Sequence, residues 1–140
     1  MTQTVSKWMS REVLSAKPDD PLFSGVEVMA EKGIRHVLVL EEGKLLGILS
    51  NRDIVRATML NAERTLDLHG TTVKQVMTKG PLETIHPLAQ IPDAAAKLVD
   101  HKISALPVIG DDGAVVGILT TDDTLRAVAL EGCSLRRPDL

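Results

Sequence analysis

Residues 47–53 read Gly-Ile-Leu-Ser-Asn-Arg-Asp, and residues 117–123 read Gly-Ile-Leu-Thr-Thr-Asp-Asp. Each copy follows an apolar stretch, 36–40 or 105–109, and a turn that contains glycine. This repeated order of strand, turn, strand and helix start predicts two similar halves. Each half carries a polar cluster at the start of a helix, where backbone N–H groups attract anions. We therefore expect a small anionic ligand to bind between the two halves.

The duplication extends well beyond these two motifs. Val5 and Met9 correspond to Val73 and Met77 at an offset of 68 residues, and the offset rises to 69 in the middle of each half and to 70 from Gly43 onward. Both changes of offset fall in predicted loops, which accept insertions readily. Two copies with so long a period indicate a closed pair rather than an open repeat array.

The composition excludes several classes of protein. The whole sequence has 140 residues, so each of its two halves is close to the lower size limit for a domain with a self-sufficient core. The sequence is 44% hydrophobic, yet Trp8 and Phe23 are its only aromatic residues, which predicts an aliphatic core. The net charge of −3 argues against a nucleic-acid partner, and no apolar run reaches the ~20 residues of a membrane helix. The N-terminus lacks a signal-peptide pattern, and the single cysteine, Cys133, excludes an intrachain disulfide. We expect a cytoplasmic protein with no membrane partner.

Hydrophobic periodicity predicts the same order of elements in both halves. Each half has a lead-in helix, a short strand, a long helix, two strands joined by a tight turn, and a final helix. In the first half these elements are expected at residues 5–9, 13–16, 21–32, 36–40, 44–49 and from 51 onward. In the second half they are expected at residues 72–77, 82–85, 90–101, 105–109, 114–119 and 121–130.

Apolar side chains mark the predicted inward face of the first-half helices. On the long helix this face consists of Leu22, Val26, Met29 and Ala30. Gly33 is expected to end that helix, as a C-terminal glycine often does. On the final helix of the first half, the inward face is expected to consist of Ile54, Val55, Thr58 and Met59.

A hydroxyl and a carboxylate stand three residues apart at two helix starts. One interpretation is a capping box, in which Ser50 or Thr120 accepts a backbone N–H and the following aspartate reaches back. The other is a ligand site, in which the helix start and hydroxyl bind a phosphate while Asp53 or Asp123 accepts both hydroxyls of a ribose. The local sequence alone leaves both interpretations open.

From residue 5 to about 130 the chain resembles a tandem pair of cystathionine-β-synthase (CBS) domains, or Bateman module, of the stand-alone bacterial type. The resemblance rests on the two Gly-apolar-apolar-Ser/Thr-x-x-Asp motifs, the strands before them and the two Val-x-x-x-Met openings. It implies an α/β (α+β-like) fold with two pseudo-twofold-related β-α-β-β-α repeats packed sheet to sheet. The implied domains are repeat one at 5–60, a linker at 61–71, repeat two at 72–131 and a flexible tail at 132–140.

The resemblance also implies an adenosyl ligand of the AMP, ADP or ATP class in the cleft between the repeats, with no further cofactor required. We expect the ribose on Asp53 and the phosphate near Ser50, Asn51 and Arg52. The adenine is expected among four apolar residues, Val13, Leu14, Ile34 and Val37. Basic residues often meet the phosphates in this family, so Arg35 and His36 are candidates for either cleft, and the second motif offers Thr120, Thr121 and Asp123.

The two motifs differ in charge. Arg52 precedes the first motif aspartate and suits a phosphate, whereas Asp122 precedes the second and repels one. Thr124 also stands where the first motif is followed by Ile54. The first cleft is therefore expected to be the better nucleotide site, and the function of the second is in doubt.

The remaining sequence offers no catalytic constellation or metal site. His69, His86 and His101 lack ligand spacing, and there is no nucleophile with a suitably spaced base. We expect a non-enzymatic sensor that signals occupancy to an unidentified regulated protein. The alternative is a purely structural dimerisation module with degenerate clefts, and an enzyme is conceivable only with chemistry formed across the halves. A homodimer is expected from surplus apolar residues on two helices, Val55, Met59, Leu125, Val128 and Leu130.

Overall fold

The computed structural model describes residues 3–131. Its helices are α1 (Val5–Trp8), α2 (Leu22–Lys32), α3 (Asn51–Leu60), α4 (Val73–Val76), α5 (Ile91–Asp100) and α6 (Thr121–Glu131). Its strands are β1 (Ser15–Ala16), β2 (His36–Glu41), β3 (Lys44–Ser50), β4 (Thr78–Lys79), β5 (Ala105–Ile109) and β6 (Val115–Thr120). The mixed α/β class is thus confirmed. The predicted tail at 132–140 and Cys133 lie outside the described residues.

The described chain divides into two compact units that do not follow the sequence repeats. Residues 14–82 form one, here called the motif-1 unit because it contains Gly47–Asp53. Residues 3–13 and 83–131 belong to the other, the motif-2 unit, which contains the second motif. The lead-in helix of the second repeat, α4, lies in the motif-1 unit, and that of the first repeat, α1, lies in the motif-2 unit.

Backbone hydrogen bonds hold each lead-in helix in place, and they match between the units. The Val73 N–H donates to the Asp20 carbonyl at 2.9 Å in the motif-1 unit. The Val5 N–H donates to the Ala89 carbonyl at 2.8 Å in the motif-2 unit. Because the first N–H groups of a helix have no partner within it, a loop carbonyl at that point stabilises a helix of only one turn.

The sheet of the motif-1 unit has the order β1-β2-β3-β4, with β1 parallel to β2 and the other pairs antiparallel. The corresponding hairpin of the motif-2 unit is β5–β6, flanked by a parallel bridge at Ile85 and an antiparallel bridge at Ser10. Parallel and antiparallel pairing are therefore mixed in both units, as predicted. The expected strand at 82–85 is reduced to the single bridge at Ile85, and β4 was not predicted at all.

The glycine that opens each motif is required by the lead-in segment beside it. A Cβ at Gly47 would lie 2.6 Å from the Thr78 carbonyl oxygen, and one at Gly117 would lie 2.8 Å from that of Ser10. Real Cβ atoms essentially never approach other atoms so closely. The first residue of the repeated motif therefore permits β3 and β6 to pair closely with the segments that follow α4 and α1.

Two cores of aliphatic side chains fill the units, as the composition predicts. The fully buried residues of the motif-1 core include Leu22, Val37, Val39, Leu49 and Val73. Those of the motif-2 core include Val5, Ile91, Leu106, Val108 and Leu119. Each core thus takes one valine from a lead-in helix, which buries the apolar side of that helix.

Some predicted faces are corrected by the structure. Gly33 does end α2 in the left-handed region at φ 63°, and Leu22 and Met29 are buried. Ala30 of the predicted stripe is exposed. Val55 and Met59, expected to face inward, are 61% and 55% exposed, because only Ile54 of that helix turn packs against the core.

The polar segment 61–71 packs against the motif-1 unit. Its Leu66 and Leu68 contact the core of that unit. The Thr71 carbonyl accepts the Leu22 N–H at 2.7 Å, and the Leu68 carbonyl accepts the Phe23 N–H at 2.9 Å. The segment thereby supplies the capping acceptors that α2 lacks, since its N-cap residue is a proline. Among the helices within residues 3–131, none has the length and hydrophobicity of a bilayer-spanning segment.

Candidate functional site

The first motif turns from β3 into α3 through a capping box at Ser50. The Asp53 N–H donates to the Ser50 hydroxyl oxygen at 3.2 Å. In return Asp53 Oδ2 accepts the Ser50 N–H at 2.8 Å and the Ser50 hydroxyl at 3.1 Å. The capping interpretation of this spacing is confirmed. It leaves the ligand interpretation open, because the box occupies only one of the two carboxylate oxygens.

The second carboxylate oxygen of Asp53 faces β4. Asp53 Oδ1 accepts the Thr78 hydroxyl at 3.0 Å, and Arg56 Nη1 lies 3.8 Å away. The Asp53 residue is only 6% exposed, so these contacts replace most of its hydration. A carboxylate oxygen has two lone pairs, so Oδ1 can accept one more donor beside the threonine. A ligand hydroxyl that reaches Asp53 must share this oxygen with Thr78 or displace it.

Two basic residues lie at the same end of the sheet. The Asn51 N–H donates to the Arg35 carbonyl at 3.0 Å, and His36 pairs with Ser50 in the β2–β3 register. Asn51, Arg52 and Arg35 are exposed, whereas His36 is partly buried. The structure therefore brings six predicted site residues together around the start of α3, namely Arg35, His36, Ser50, Asn51, Arg52 and Asp53. Two N–H groups of the first helical turn, those of Asn51 and Asp53, already have acceptors, so positive side chains have to supply much of the attraction for an anion.

The expected adenine contacts are only partly assembled within the motif-1 unit. Leu14 and Ile34 are partly exposed there. Val37 is fully buried in the core, because β2 lies between β1 and β3 with both of its faces covered. It offers no surface to a ligand in this conformation, contrary to expectation. Val13 belongs to the motif-2 unit.

The second motif holds its aspartate differently. Asp123 Oδ2 accepts the Thr120 N–H at 2.8 Å and its hydroxyl at 3.1 Å, much as Asp53 does with Ser50. Asp123 Oδ1, however, accepts Arg126 Nη2 at 2.7 Å in a charge-assisted hydrogen bond. Ser10, which corresponds to Thr78, directs its hydroxyl to the Glu12 carbonyl at 3.5 Å instead.

The surroundings of the second motif also carry less positive charge. The Thr121 N–H donates to the Ser104 carbonyl at 3.0 Å, so Ser104 occupies the place that Arg35 has in the motif-1 unit. Thr124 is buried, with its hydroxyl donating to the Thr121 carbonyl at 2.7 Å. Neither position that corresponds to Arg35 or Arg52 carries an arginine at this motif. Its nearby arginine, Arg126, is bound to Asp123.

Sequence reasoning missed three of the side chains that contact the motif aspartates, namely Arg56, Thr78 and Arg126. The contact of Arg126 with Asp123 could have been predicted, because an acid and a base three residues apart on a helix lie on one face. The contact of Thr78 with Asp53 could not be predicted, because Thr78 follows the lead-in helix of the second repeat and that segment packs in the motif-1 unit. Within residues 3–131, no group of three or more His, Cys, Asp or Glu side chains could hold a metal ion.

One side chain with a raised pKa, that of Lys74, lies away from both motifs. A hydrogen bond from Lys74 to Asp19, together with the attraction of that carboxylate, raises the pKa of the Lys74 ammonium above its ordinary value. The two charged atoms are 2.7 Å apart, on a pair whose side chains are mostly exposed. The interaction joins α4 to the loop before α2 and has no direct contact with Asp53.

The CBS domain model matches residues 5–60 and again residues 73–130. The chain belongs to the CBS domain family. Its two matches cover both motifs, both lead-in helices and all the strands of the two sheets.

Several known proteins are similar to this CBS chain. A homoserine O-acetyltransferase of Methanosalsum zhilinae is 29% identical over 132 residues, which are 94% of this chain and 25% of that protein. The chain spans about a quarter of the length of the first curated relatives that it matches.

Two solved structures share most of the fold. The CBS domain pair of protein MJ0100, in complex with 5′-methylthioadenosine and S-adenosyl-L-methionine, has a TM-score of 0.82 and 26% identity, covering 94% of this chain and 99% of that one. CBSX2 in complex with AMP has a TM-score of 0.77 and 27% identity, with the same coverage of both chains.

Proposed function

We propose that this CBS domain pair is a regulatory module that binds an adenine nucleotide at its first motif. The observation that carries the proposal is the buried Asp53 at the start of α3, with Arg35 and Arg52 exposed beside it. Likeness to a CBS pair in complex with adenosyl compounds and to CBSX2 in complex with AMP supports the choice of ligand class.

The proposed roles follow from the charges and donors at the motif. Asp53 accepts the two ribose hydroxyls, with Oδ1 exchanging the Thr78 hydroxyl for one from the ligand. This exchange replaces one neutral donor by another, so its net cost is small. Asn51 donates to the phosphate from its side-chain amide, and Ser50 does so by turning its hydroxyl away from Asp53 Oδ2, which keeps the Ser50 N–H. Arg52 and Arg35 supply the positive charge that suits a phosphate.

His36 and two apolar residues complete the proposed site. His36 stands beside Ser50 in the sheet register and can donate a ring N–H to the phosphate. Leu14 and Ile34 offer partly exposed apolar surface against which an adenine can pack. At the second motif, Thr120, Thr121 and Asp123 would form a weaker site, since Arg126 already occupies the carboxylate.

We further propose that α3 carries the occupancy signal. The helix begins at the ligand site and presents Val55 and Met59, 61% and 55% exposed, farther along its length. Apolar residues at this exposure are suited to a partner surface. On this view the protein is a cytoplasmic homodimer that regulates another protein and catalyses no reaction itself. Leu125, Val128 and Leu130 of α6 offer a second such surface.

One observation favours the structural alternative. Both oxygens of Asp53 are satisfied without a ligand, so the motif is able to stabilise the start of α3 on its own. A purely structural dimerisation module would need nothing more from it. The two proposals differ in whether a nucleotide stabilises the fold.

The experiment is a thermal-shift and calorimetric titration with AMP, ADP, ATP, S-adenosylmethionine and adenosine. A nucleotide at a hundredfold excess over its dissociation constant stabilises the folded state by about 2.7 kcal/mol, or roughly 5–10 °C for a domain of this size. We expect Asp53→Ala to abolish most of this shift and Asp123→Ala, the matched control, to retain it. Arg52→Ala should weaken AMP and ATP while sparing adenosine, which has no phosphate.

Absence of a shift for every nucleotide with the wild-type chain would leave the structural module as the function. An equal shift for Asp53→Ala and the wild type would show that the nucleotide binds elsewhere. Light scattering that gives only a monomer at micromolar concentration would contradict the homodimer.

A further inference from the structure

A surface cavity of about 460 Å³ lies in the motif-2 unit, at the opposite end of β5 from the motif. Ala105, at the start of β5, pairs with Thr120 of the motif, whereas Ile109, at its other end, lines the cavity. The rest of the lining comes from α5 and from the loop before it. Small-molecule sites usually enclose roughly 300–1,000 Å³, so the cavity is of suitable size.

Opposite charges one helical turn apart line this cavity. Lys97 donates from Nζ to the Thr84 carbonyl at 2.6 Å and lies 3.6 Å from Glu83 Oε2. An ammonium group has three N–H donors, so the position of Lys97 is held while a donor remains for a ligand. Asp93 precedes Lys97 by four residues on the same helix face. Because Lys97 turns to Thr84, the exposed Asp93 carboxylate has no ion-pair partner within residues 3–131.

The other repeat builds the same helix without these charges. At the offset of 69 residues, Asp93 corresponds to Ser24 and Lys97 to Val28. Val28 packs against the motif-1 core, as an apolar residue at that helix position should. The same helix therefore forms in the other repeat without this pair, although Asp93, in the first turn of α5, also suits the helix N-terminus. Holding a lysine in one conformation also costs side-chain entropy, which a ligand contact would offset.

The floor of the cavity is apolar and one wall is rigid. Ile85 is buried, and Ala89 and Ile109 are partly exposed. His86 Nδ1 accepts the Leu88 N–H at 3.1 Å, so Nε2 carries the proton and donates to Asp111 Oδ1 at 2.7 Å. The ring is thus held at both nitrogens beside the floor.

We propose that this cavity binds a free α-amino acid with a short aliphatic side chain. Its carboxylate accepts from Lys97, its ammonium donates to Asp93, and its side chain lies on the floor formed by Ile85, Ala89 and Ile109. The ion pair with Glu83 leaves Lys97 one N–H donor for a carboxylate, and Asp93 has no ion-pair partner within residues 3–131, so a zwitterion satisfies both groups whereas a simple anion or cation satisfies only one. The site is separate from the nucleotide motif and does not depend on the function proposed for it.

The test is an NMR titration of the ¹⁵N-labelled full chain with L-valine, L-leucine and L-methionine. Isobutylamine and isovalerate serve as matched probes, since each keeps the branched body of valine and only one of its charges. We expect saturable amide shifts at Thr84, Ala89 and Ile109, with each single-charge probe binding at least about tenfold more weakly.

Two variants locate the site. Lys97→Met and Asp93→Asn should each weaken amino-acid binding at least about tenfold, because each leaves one ligand charge unpaired. Lys32→Met, on the exposed end of α2, serves as the control and should bind like the wild type. Unchanged spectra elsewhere would show that the variants are folded.

Three results would overturn the proposal. The first is the absence of saturable shifts with all three amino acids. The second is a set of shifts that maps outside the cavity or persists in both variants. The third is equal binding of valine and a single-charge probe, or loss of binding in only one variant, which would assign the cavity to a simple ion.

Discussion

The motif-1 and motif-2 units share one backbone plan and bury an aspartate at the same place, but they give it different partners. Asp53 Oδ1 accepts a neutral hydroxyl from β4, whereas Asp123 Oδ1 accepts a guanidinium from its own helix. A neutral donor exchanges for a ligand hydroxyl at little cost, and a charged one does not. The two units therefore keep the same backbone plan, while the motif-1 carboxylate is held by a donor that is easier to displace.

The shared plan can be tested at the glycine that opens each motif. Gly47→Ala and Gly117→Ala should each lower the free energy of unfolding by about 2–3 kcal/mol, because the new Cβ meets a backbone carbonyl that has little room to move. Denaturant unfolding measures the loss. Gly80→Ala is the control, since its Cβ would lie 3.5 Å from the nearest atom outside its neighbours. A loss in one variant alone would show that the lead-in segments do not bind equally closely.

The different partners of the aspartates can be tested by removing the arginines. Arg126→Ala leaves Asp123 Oδ1 without its donor, so we expect a loss of about 1–2 kcal/mol in stability and tighter nucleotide binding at the second motif. Arg56→Ala is the matched control, because Arg56 lies 3.8 Å from Asp53 and is 67% exposed. Titration calorimetry measures both the stoichiometry and the affinity of nucleotide binding. Unchanged binding in Arg126→Ala would mean that another residue, such as Asp122, disfavours that site.

The contribution of the Thr78 hydroxyl, the neutral donor to Asp53 in the motif-1 unit, can be tested with an isosteric change. Thr78→Val keeps the branched shape and removes the hydroxyl, so Asp53 loses one hydrogen bond at a cost of about 1 kcal/mol. Ser10→Ala should cost less, because its hydroxyl bond of 3.5 Å is long and exposed. Chemical denaturation of both variants makes the comparison. Equal losses would remove the proposed asymmetry between the lead-in segments.

The smallest effect is expected at the ion pair that joins α4 to the loop before α2. The carboxylate of Asp19 raises the pKa of Lys74, so the pair contributes below the unfolded pKa of lysine and loses its contribution as pH rises through the folded one. Asp19→Asn should therefore lower the melting temperature slightly at pH 7 and match the wild type in strongly alkaline buffer. A difference that grows with pH would contradict this sign.

Much of the fold was predictable from local pattern. The two copies of the motif predicted the starts of four elements to within one residue, namely β3, α3, β6 and α6. Strand alternation and the capping spacing are local signals, so they can be recognised in the sequence. Gly33 marked the end of α2 for the same reason. The strand at 82–85 was overestimated, because its pairing depends on a neighbour that is distant in sequence.

The site was less predictable than the fold. Ser50, Asp53 and Arg52 follow from one contiguous motif, and Arg35 follows from the start of the strand before it. The contact from Thr78 depends on the exchange of lead-in segments between the units, and no residue near Asp53 signals that exchange. Val37 is fully buried although an adenine contact was expected there, and the sequence does not distinguish an apolar residue in a central strand from one in an edge strand.

The exchanged lead-in segments have a consequence for synthesis of the chain. The N–H of Val5 finds its acceptor at Ala89, so the first helix leaves the ribosome long before its docking site exists. At roughly 5–20 residues per second, it waits several seconds with Val5, a core side chain, in solvent. The motif-1 unit, by contrast, is contiguous and can close once residue 82 has emerged. A ribosome-stalled series of lengthening chains should therefore show the motif-1 unit folding once residue 82 has emerged and the motif-2 unit only after its residues up to 131 have emerged.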